Sequence, residues 1–429
     1  MIIDYKFKNF RSFRRETDMS FKAGKQRTFN ENLIAKDGLR ILPSAVIYGA
    51  NASGKSNVIM SLSVMENIVT YGSLSKLPQQ ISSLEIYPFI HSEENSPMEF
   101  DITFENEGHY FQYMFAVMVD RFRKGKQRIV KEVLKKKIGS SYIEIFHRNK
   151  NDVNINKTNK ILKLIGFEEL FLDAMLEKLK KSLDKDDLFL CNGFKSAISS
   201  ELADLVIDFF KNKLLVVSDF TLKKANLTFS SEEMPEKDFF AWNRVLDGFV
   251  RETDFGPQNI VFKSRKGDDD QSADMQLVSI YECEGKEVIL PAEWMESRGT
   301  LKLIDFAIPF QQIFSEGGVL VLDEFDAAIH PEIVKGIIAL FHDTSVNTRG
   351  AQIVFSTHNP IYLNNKIYRR DQILFVEKDK EEYESTLYSL ADFGSTDVRN
   401  DENYLVNYFK GKYSILPYID FGKIIKGEN

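Results

Sequence analysis

The chain has 429 residues, of which 43% are hydrophobic and 28% charged, with a formal net charge of −7. That composition belongs to a soluble globular protein with room for two or three domain-sized units, and it argues against a chain coated in positive charge for bulk nucleic-acid binding. Cys191 and Cys283 are too few for a disulfide framework and have no metal-ligand spacing around them. No apolar run approaches the ~18 residues of a membrane span, and Met-Ile-Ile-Asp-Tyr-Lys at the start lacks a signal-peptide core, so the expectation is a cytoplasmic protein with no membrane partner. The 35 phenylalanines are assigned to core packing.

In chain order, Ile3, Tyr5 and Phe7 alternate with polar residues, the period of a half-buried strand. Ser44–Tyr48 reads as a buried strand that runs into Gly49. Beyond Lys55 the pattern is helical, with Val58, Ile59, Leu62, Met65, Ile68 and Val69 on one face. Residues 98–120 read as a hairpin turning at Asn106-Glu107-Gly108, with strands continuing to about Phe146. Residues 147–159 are polar and read as a loop. From about 160 to 250 the pattern is mostly helical, over Phe167–Leu183, Ser196–Lys213 and Glu236–Glu252. Gly256–Leu290 returns to strands around a polar turn at 266–270, and a final α/β portion follows. There is no internal repeat and no sustained heptad pattern, which excludes a long coiled-coil arm. The expected organisation is an α/β head over 1–146 and 257–429, interrupted by a mainly helical insertion over 147–256.

Four short segments carry chemistry. Gly49-Ala50-Asn51-Ala52-Ser53-Gly54-Lys55-Ser56 has the G-x-x-x-x-G-K-S spacing of a phosphate loop, with a strand before it and a helix after it. Its glycines allow close backbone approach, and its N–H groups face phosphates together with the helix N-terminus. Lys55 is expected to reach the β- and γ-phosphates of ATP and Ser56 to ligate Mg²⁺, with Asn51, Ala52, Ser53 and Asn57 completing the binding segment. Val319–Leu322 ends in Asp323 and Glu324. At the carboxyl end of a buried strand, Asp323 is expected to hold Mg²⁺, and Glu324 to act as general base on the attacking water. His358 follows the apolar run Ile353-Val354-Phe355 and is expected to face the γ-phosphate or that water. Ser297 and Gly299 open a helical stretch. Such a pair is most often a plain N-cap, and its position about 25 residues before Asp323 is what makes it an anion-site candidate. His330 reads as a cap, and His91, His109, His147 and His342 as structural residues.

Together with Asn9-Phe10-Arg11-Ser12-Phe13, the stretch from Leu320 through His330 to Pro331, Ser356-Thr357-His358-Asn359-Pro360, and the C-terminal segments 370–373, 390–393 and 408–413, these motifs cover most of the chain. They resemble the bacterial ABC-like ATPases of the AbiL and RloA group, relatives of the ATPase subunit of PARIS anti-phage systems and, more distantly, of RecF and SMC-type heads. The resemblance implies an ABC-type ATPase head, with a mixed sheet around a phosphate-loop core and an antiparallel β lobe. It also implies dimerisation around ATP, so that Ser297 and Gly299 of one copy complete the other copy's site, and control of a separately encoded nuclease or toxin effector in phage defence. By position, Arg11 and Ser12 would lie near the adenine or ribose, and Asp326 in the loop crossing the dimer interface. The chain departs from the pattern in its Ser-Arg-Gly-Thr signature. It also lacks a clear glutamine loop, for which Gln79 and Gln80 are weak candidates near Tyr87-Pro88-Phe89, and no acidic cluster of the nuclease type is expected after Ser356-Thr357-His358-Asn359-Pro360. Nucleic acid is a further candidate partner, since residues 121–137 hold nine Lys or Arg and one Glu. A DNA-clamping repair ATPase and an ATP-gated scaffold with little turnover are the competing readings. The apolar residues of the insertion, Phe167, Leu170, Phe171, Met175, Phe209, Phe210, Phe239, Phe240 and Trp242, are candidates for a docking face.

Overall fold

The computed structural model describes residues 1–78, 86–92, 96–120, 126–217, 240–241, 259–265, 274–394, 398–399 and 401–413. A six-stranded sheet runs in the spatial order 214–217, 319–322, 352–356, 44–48, 373–378 and 385–389. The first five strands are parallel, and the last pairs antiparallel with the fifth. Ser44–Tyr48, Val319–Leu322 and Gln352–Ser356 are buried along their whole length. That follows from their largely unbroken apolar runs, because a parallel sheet is covered on both faces.

Alternation sorts the strand residues between two cores. Ala45, Ile47, Val319, Val321 and Val354 meet the phosphate-loop helix, Lys55–Tyr71, through the apolar stripe read from the sequence. Val46, Tyr48, Leu320, Leu322, Ile353 and Phe355 pack on the opposite face, against the helices Arg298–Glu316 and Pro331–His342.

The first core continues into a seven-stranded antiparallel sheet in the order 152–155, 141–149, 126–138, 109–120, 98–106, 2–8 and 17–20. The 98–120 hairpin closes at the pair Asn106–His109, and Glu107 and Gly108 both take positive φ, as a two-residue primed turn requires. Phe104 stacks on Phe209 with ring centroids 4.2 Å apart, which fixes the helical segment to this sheet. So does a buried charge cluster. The Glu132 carboxylate accepts from Tyr113 Oη and from the Phe189 and Leu190 N–H groups, and Arg148 lies 3.9 Å away, donating to the Lys150, Asp184 and Asp187 carbonyls. A four-stranded sheet, ordered 240–241, 259–265, 274–283 and 286–291, completes the larger sheets of the described residues.

The region expected as loop and helix differs in three places. Residues 147–159 are not a loop: strands Ser141–Asn149 and Asp152–Ile155 pair there. In the second of these strands only Val153 and Ile155 face inward, so the outward polar residues hid the alternation. Helices do occupy Asn159–Ile165, Glu169–Ser182 and Ser200–Asp208. However, Phe240–Ala241, within the helix expected at Glu236–Glu252, is a strand paired with 259–265, and Leu214–Val217, just past the helix expected at Ser196–Lys213, is an edge strand of the parallel sheet, in register with Val319–Leu322. A four-residue apolar run fits either element, and periodicity cannot separate them.

Of the apolar residues proposed as a docking face, Phe209 and Phe210 are buried, Phe167 and Met175 are packed against the core, and Phe171 is exposed. Phe239, Trp242, most of the helix expected at Glu236–Glu252, and the turn at 266–270 lie outside the described residues, as do Gln79 and Gln80. The basic strand Lys126–Ile138 spreads its charge: Lys136 and Lys137 sit over the rings of Phe111 and Tyr110. Among the described residues, no helix is long and apolar enough to cross a membrane.

Candidate functional site

Strand order brings the candidate residues together. The strand 352–356 stands between the phosphate-loop strand 44–48 and the strand 319–322 that leads to Asp323. All three run parallel, so Gly49, Asp323, Glu324 and His358 emerge at one sheet edge, where open α/β sheets place their ligands.

Gly54 has φ 114 and opens the phosphate-loop helix without a side-chain cap. A Cβ there would lie 2.7 Å from Ser385 Oγ and 2.8 Å from Ser12 Oγ, and one at Gly49 would lie 2.4 Å from the Val376 carbonyl. Only glycine fits either position. Ala52 also takes a left-handed φ of 62, and Asn51 and Ala52 are exposed at the loop's tip. Ser53 is buried, whereas Ser56 on the first helical turn is exposed. The loop is thus a narrow backbone cradle at a positive helix end, which fits a polyphosphate. Lys55 is 5% exposed, and its ammonium donates to the Gly49 and Ala50 carbonyls at 2.9 and 3.0 Å. Burial pulls its pKa down to about 8, against the opposing pull of Asp323 and Glu324.

Ser356, fully buried, organises the carboxylates. Its hydroxyl donates to Asp323 Oδ1 and accepts the Glu324 N–H at 2.9 Å. Glu324 takes a left-handed φ of 46, and its side chain is 56% exposed toward the site. His358 lies between the two charge types. Its Nδ1 is 3.5 Å from Lys55 Nζ and its Nε2 is 3.6 Å from Glu324 Oε1. Burial first, and then the Lys55 cation, lower its pKa below the usual histidine value. A neutral ring follows at pH 7. With an ammonium facing Nδ1, that nitrogen is the acceptor and Nε2 carries the proton toward Glu324. Asp326 is partly buried, and burial raises its pKa, offset in part by a hydrogen bond from Thr357.

The N-terminal segment borders the loop. Arg11 Nη1 and Ser12 Oγ both meet the Asn57 side chain, at 3.4 and 2.8 Å. The Ser12 carbonyl accepts from the Ser385 N–H, and Ser385 Oγ donates to the Ser53 carbonyl at 2.6 Å. Ser297 caps the helix Arg298–Glu316, accepting from the Thr300 N–H at 3.1 Å. Glu296 beside it accepts from Ser279 and Tyr281 of the four-stranded sheet. Gly299 lies against the turn after Glu324, where a Cβ would fall 2.2 Å from the Ala328 carbonyl.

The family model described as "AAA domain, putative AbiEii toxin, Type IV TA system" matches residues 44–364, which is more than half of the chain and spans all of these motifs except the Arg11–Ser12 segment. The chain belongs to this family. It therefore carries an AAA-type ATPase domain. No curated protein matches it. Among solved structures it is similar to an SMC head bound to the C-winged helix domain of ScpA, at 13% identity and a TM-score of 0.41, over 92% of this chain and 99% of that one.

The donor set of this AAA domain suits a magnesium nucleotide. Ser56 and Asp323 carry hard oxygen donors of the kind Mg²⁺ takes, and among the described residues no cluster of three or more His, Cys, Asp or Glu could hold a metal ion. Sequence reasoning gave no role to Ser356, Ser385 or Lys302; Ser356 acts on the Asp323 carboxylate and the Glu324 N–H, and Ser385 and Lys302 act on backbone carbonyls. Their signal was position only: Ser356 ends the strand before Thr357-His358. His330 caps the helix Pro331–His342, as read.

Proposed function

We propose that this AAA domain is an ATP-driven switch that hydrolyses ATP between two copies of the chain. The observation that carries the reading is the cluster of Lys55, Asp323, Glu324 and His358 at one sheet edge, around a glycine cradle. Lys55 would leave the loop carbonyls to meet the β- and γ-phosphates, while the N–H groups of 51–57 surround them. Arg11 and Ser12 border the nucleoside end. Ser56 and Asp323 would hold Mg²⁺, which supplies charge neutralisation at the phosphates. Glu324 accepts the proton of the attacking water. His358, neutral and with its Nε2–H toward that water, orients it. Ser297 and Gly299 of the second copy close the site from the opposite side, with Asp326 in the adjoining turn.

The family description names a putative toxin of a type IV system. For this chain we infer a related task, in the manner of the AbiL, RloA and PARIS ATPases: the nucleotide state controls a separately encoded effector in phage defence. The test is phosphate release by two variants. Lys55→Ala loses ATP binding. Glu324→Gln keeps ATP binding and hydrolyses roughly 10²- to 10⁴-fold more slowly. A Glu324→Gln protein that hydrolyses at the wild-type rate removes the carboxylate from its role. For the effector, co-purification with the product of a neighbouring gene, altered by ATP, is the expected result. Partner binding indifferent to nucleotide would refute control.

A further inference from the structure

Glu324 is held by its backbone from two sides. Its N–H donates to Ser356 Oγ at 2.9 Å, and its carbonyl accepts from Lys302 Nζ at 2.8 Å. The same ammonium donates to the Ala327 carbonyl at 3.1 Å. Between these contacts the chain makes a tight turn in which two non-glycine residues, Glu324 at φ 46 and Ala328 at φ 68, are left-handed. Such conformations cost free energy and persist only where the surroundings over-determine them. Here the surroundings are the first turns of the helix that begins after Ser297. Lys302 grips two carbonyls of the turn, and Gly299 lies so close to a third, at Ala328, that no side chain fits between. Burial lowers the pKa of Lys302 to about 8, while Asp326, Glu324 and Asp323 favour its charged form, which leaves it mostly protonated at neutral pH.

Lys302 thus ties the carbonyls of the carboxylate turn to this helix, beside the packing of Phe325 on Phe306 and Phe310. We propose that Lys302 is a positioning residue that makes the aim of Glu324 depend on the placement of the Ser297–Gly299 helix end, so that what this end binds sets the hydrolysis rate in the same chain. The idea rests on the ATP-sandwich reading above and adds its regulation. In a dimer, each copy's helix end engages the other copy's nucleotide. Lys302 then carries that engagement inward to the copy's own Glu324, and the two sites fire together.

The experiment uses Lys302→Met, which keeps the aliphatic stem, and Lys302→Arg, which keeps the cation, in the full chain. Nucleotide affinity is read by a fluorescent ATP analogue and turnover by phosphate release. Lys302→Met is expected to lower kcat by about 10- to 100-fold, as a misplaced catalytic group does. Its nucleotide dissociation constant should stay within about threefold of wild type, and the ATP dependence should lose its cooperativity, falling to a Hill slope of about 1. Lys302→Arg should recover most of the turnover. The proposal is overturned if Lys302→Met keeps kcat within about threefold of wild type, if affinity falls in parallel with kcat, or if Arg does no better than Met. The Glu324→Gln control separates the two ideas. If it hydrolyses normally, the reading of Glu324 as the base fails; if it is inactive while Lys302→Met is normal, only the positioning role of Lys302 fails.

Discussion

Ser356→Ala tests how the carboxylates are held. The hydroxyl is fully buried and makes two contacts at once, donating to Asp323 Oδ1 and accepting the Glu324 N–H at 2.9 Å. Alanine removes a hydrogen bond to a carboxylate, worth about 1.5–3 kcal/mol, and strands an N–H whose desolvation costs about 1–3 kcal/mol. Asp323 is only partly buried and can recover some of this through solvent, so the expected loss of folding stability is about 2–4 kcal/mol. The catalytic effect is separate. Glu324 loses its N–H anchor and Asp323 its hydroxyl donor, so kcat should fall by roughly 10- to 100-fold with nucleotide affinity little changed. Urea unfolding gives the first quantity and phosphate release at saturating ATP the second. A variant with kcat within about twofold of wild type would refute the claim that this hydroxyl positions the carboxylates.

Two buried charges give further tests. Burial brings Lys55 to about 8 from an ordinary 10.5, so without nucleotide it loses its proton as pH rises through about 8. Phosphates favour the cation, so ATP affinity should fall by up to about tenfold per pH unit above about 8, with proton uptake on binding seen by calorimetry in buffers of different ionisation enthalpy. An affinity flat from there to the ordinary lysine range would show that Lys55 does not meet the phosphates. In the antiparallel sheet, Arg148→Met leaves the wholly buried Glu132 carboxylate without its cation. Urea unfolding should show a loss of about 3–5 kcal/mol, partly restored by adding Glu132→Gln.

The phosphate loop, its helix and the strand into Asp323 and Glu324 were legible because each has a local signature: glycine spacing, a helical stripe, an unbroken apolar run. The link between them was not. Nothing local to Gln352–Ser356 says that this strand lies between the other two. Yet that order is what sets Ser356 against Asp323, and His358 between Lys55 and Glu324. Gln352 shows the same blind spot at the strand's other end: it is buried, and its amide bonds to the backbone of Ile2 and Leu42, some 300 residues away or more. Lys302 and Ser385 were invisible for a second reason. They act on main-chain carbonyls, which have no sequence identity. Leu214–Val217 was not read as a strand because its partner strand lies about 100 residues further along, and pairing at that distance leaves no periodic trace.

The measurement closest to the central claim is the mass of Glu324→Gln in solution, by size exclusion with light scattering, with and without Mg-ATP. If two copies share the nucleotide, the variant should move from the 49.5 kDa chain toward twice that mass when ATP is added, and Ser297→Arg in the same chain should abolish the shift. A mass that does not change with nucleotide would contradict the account.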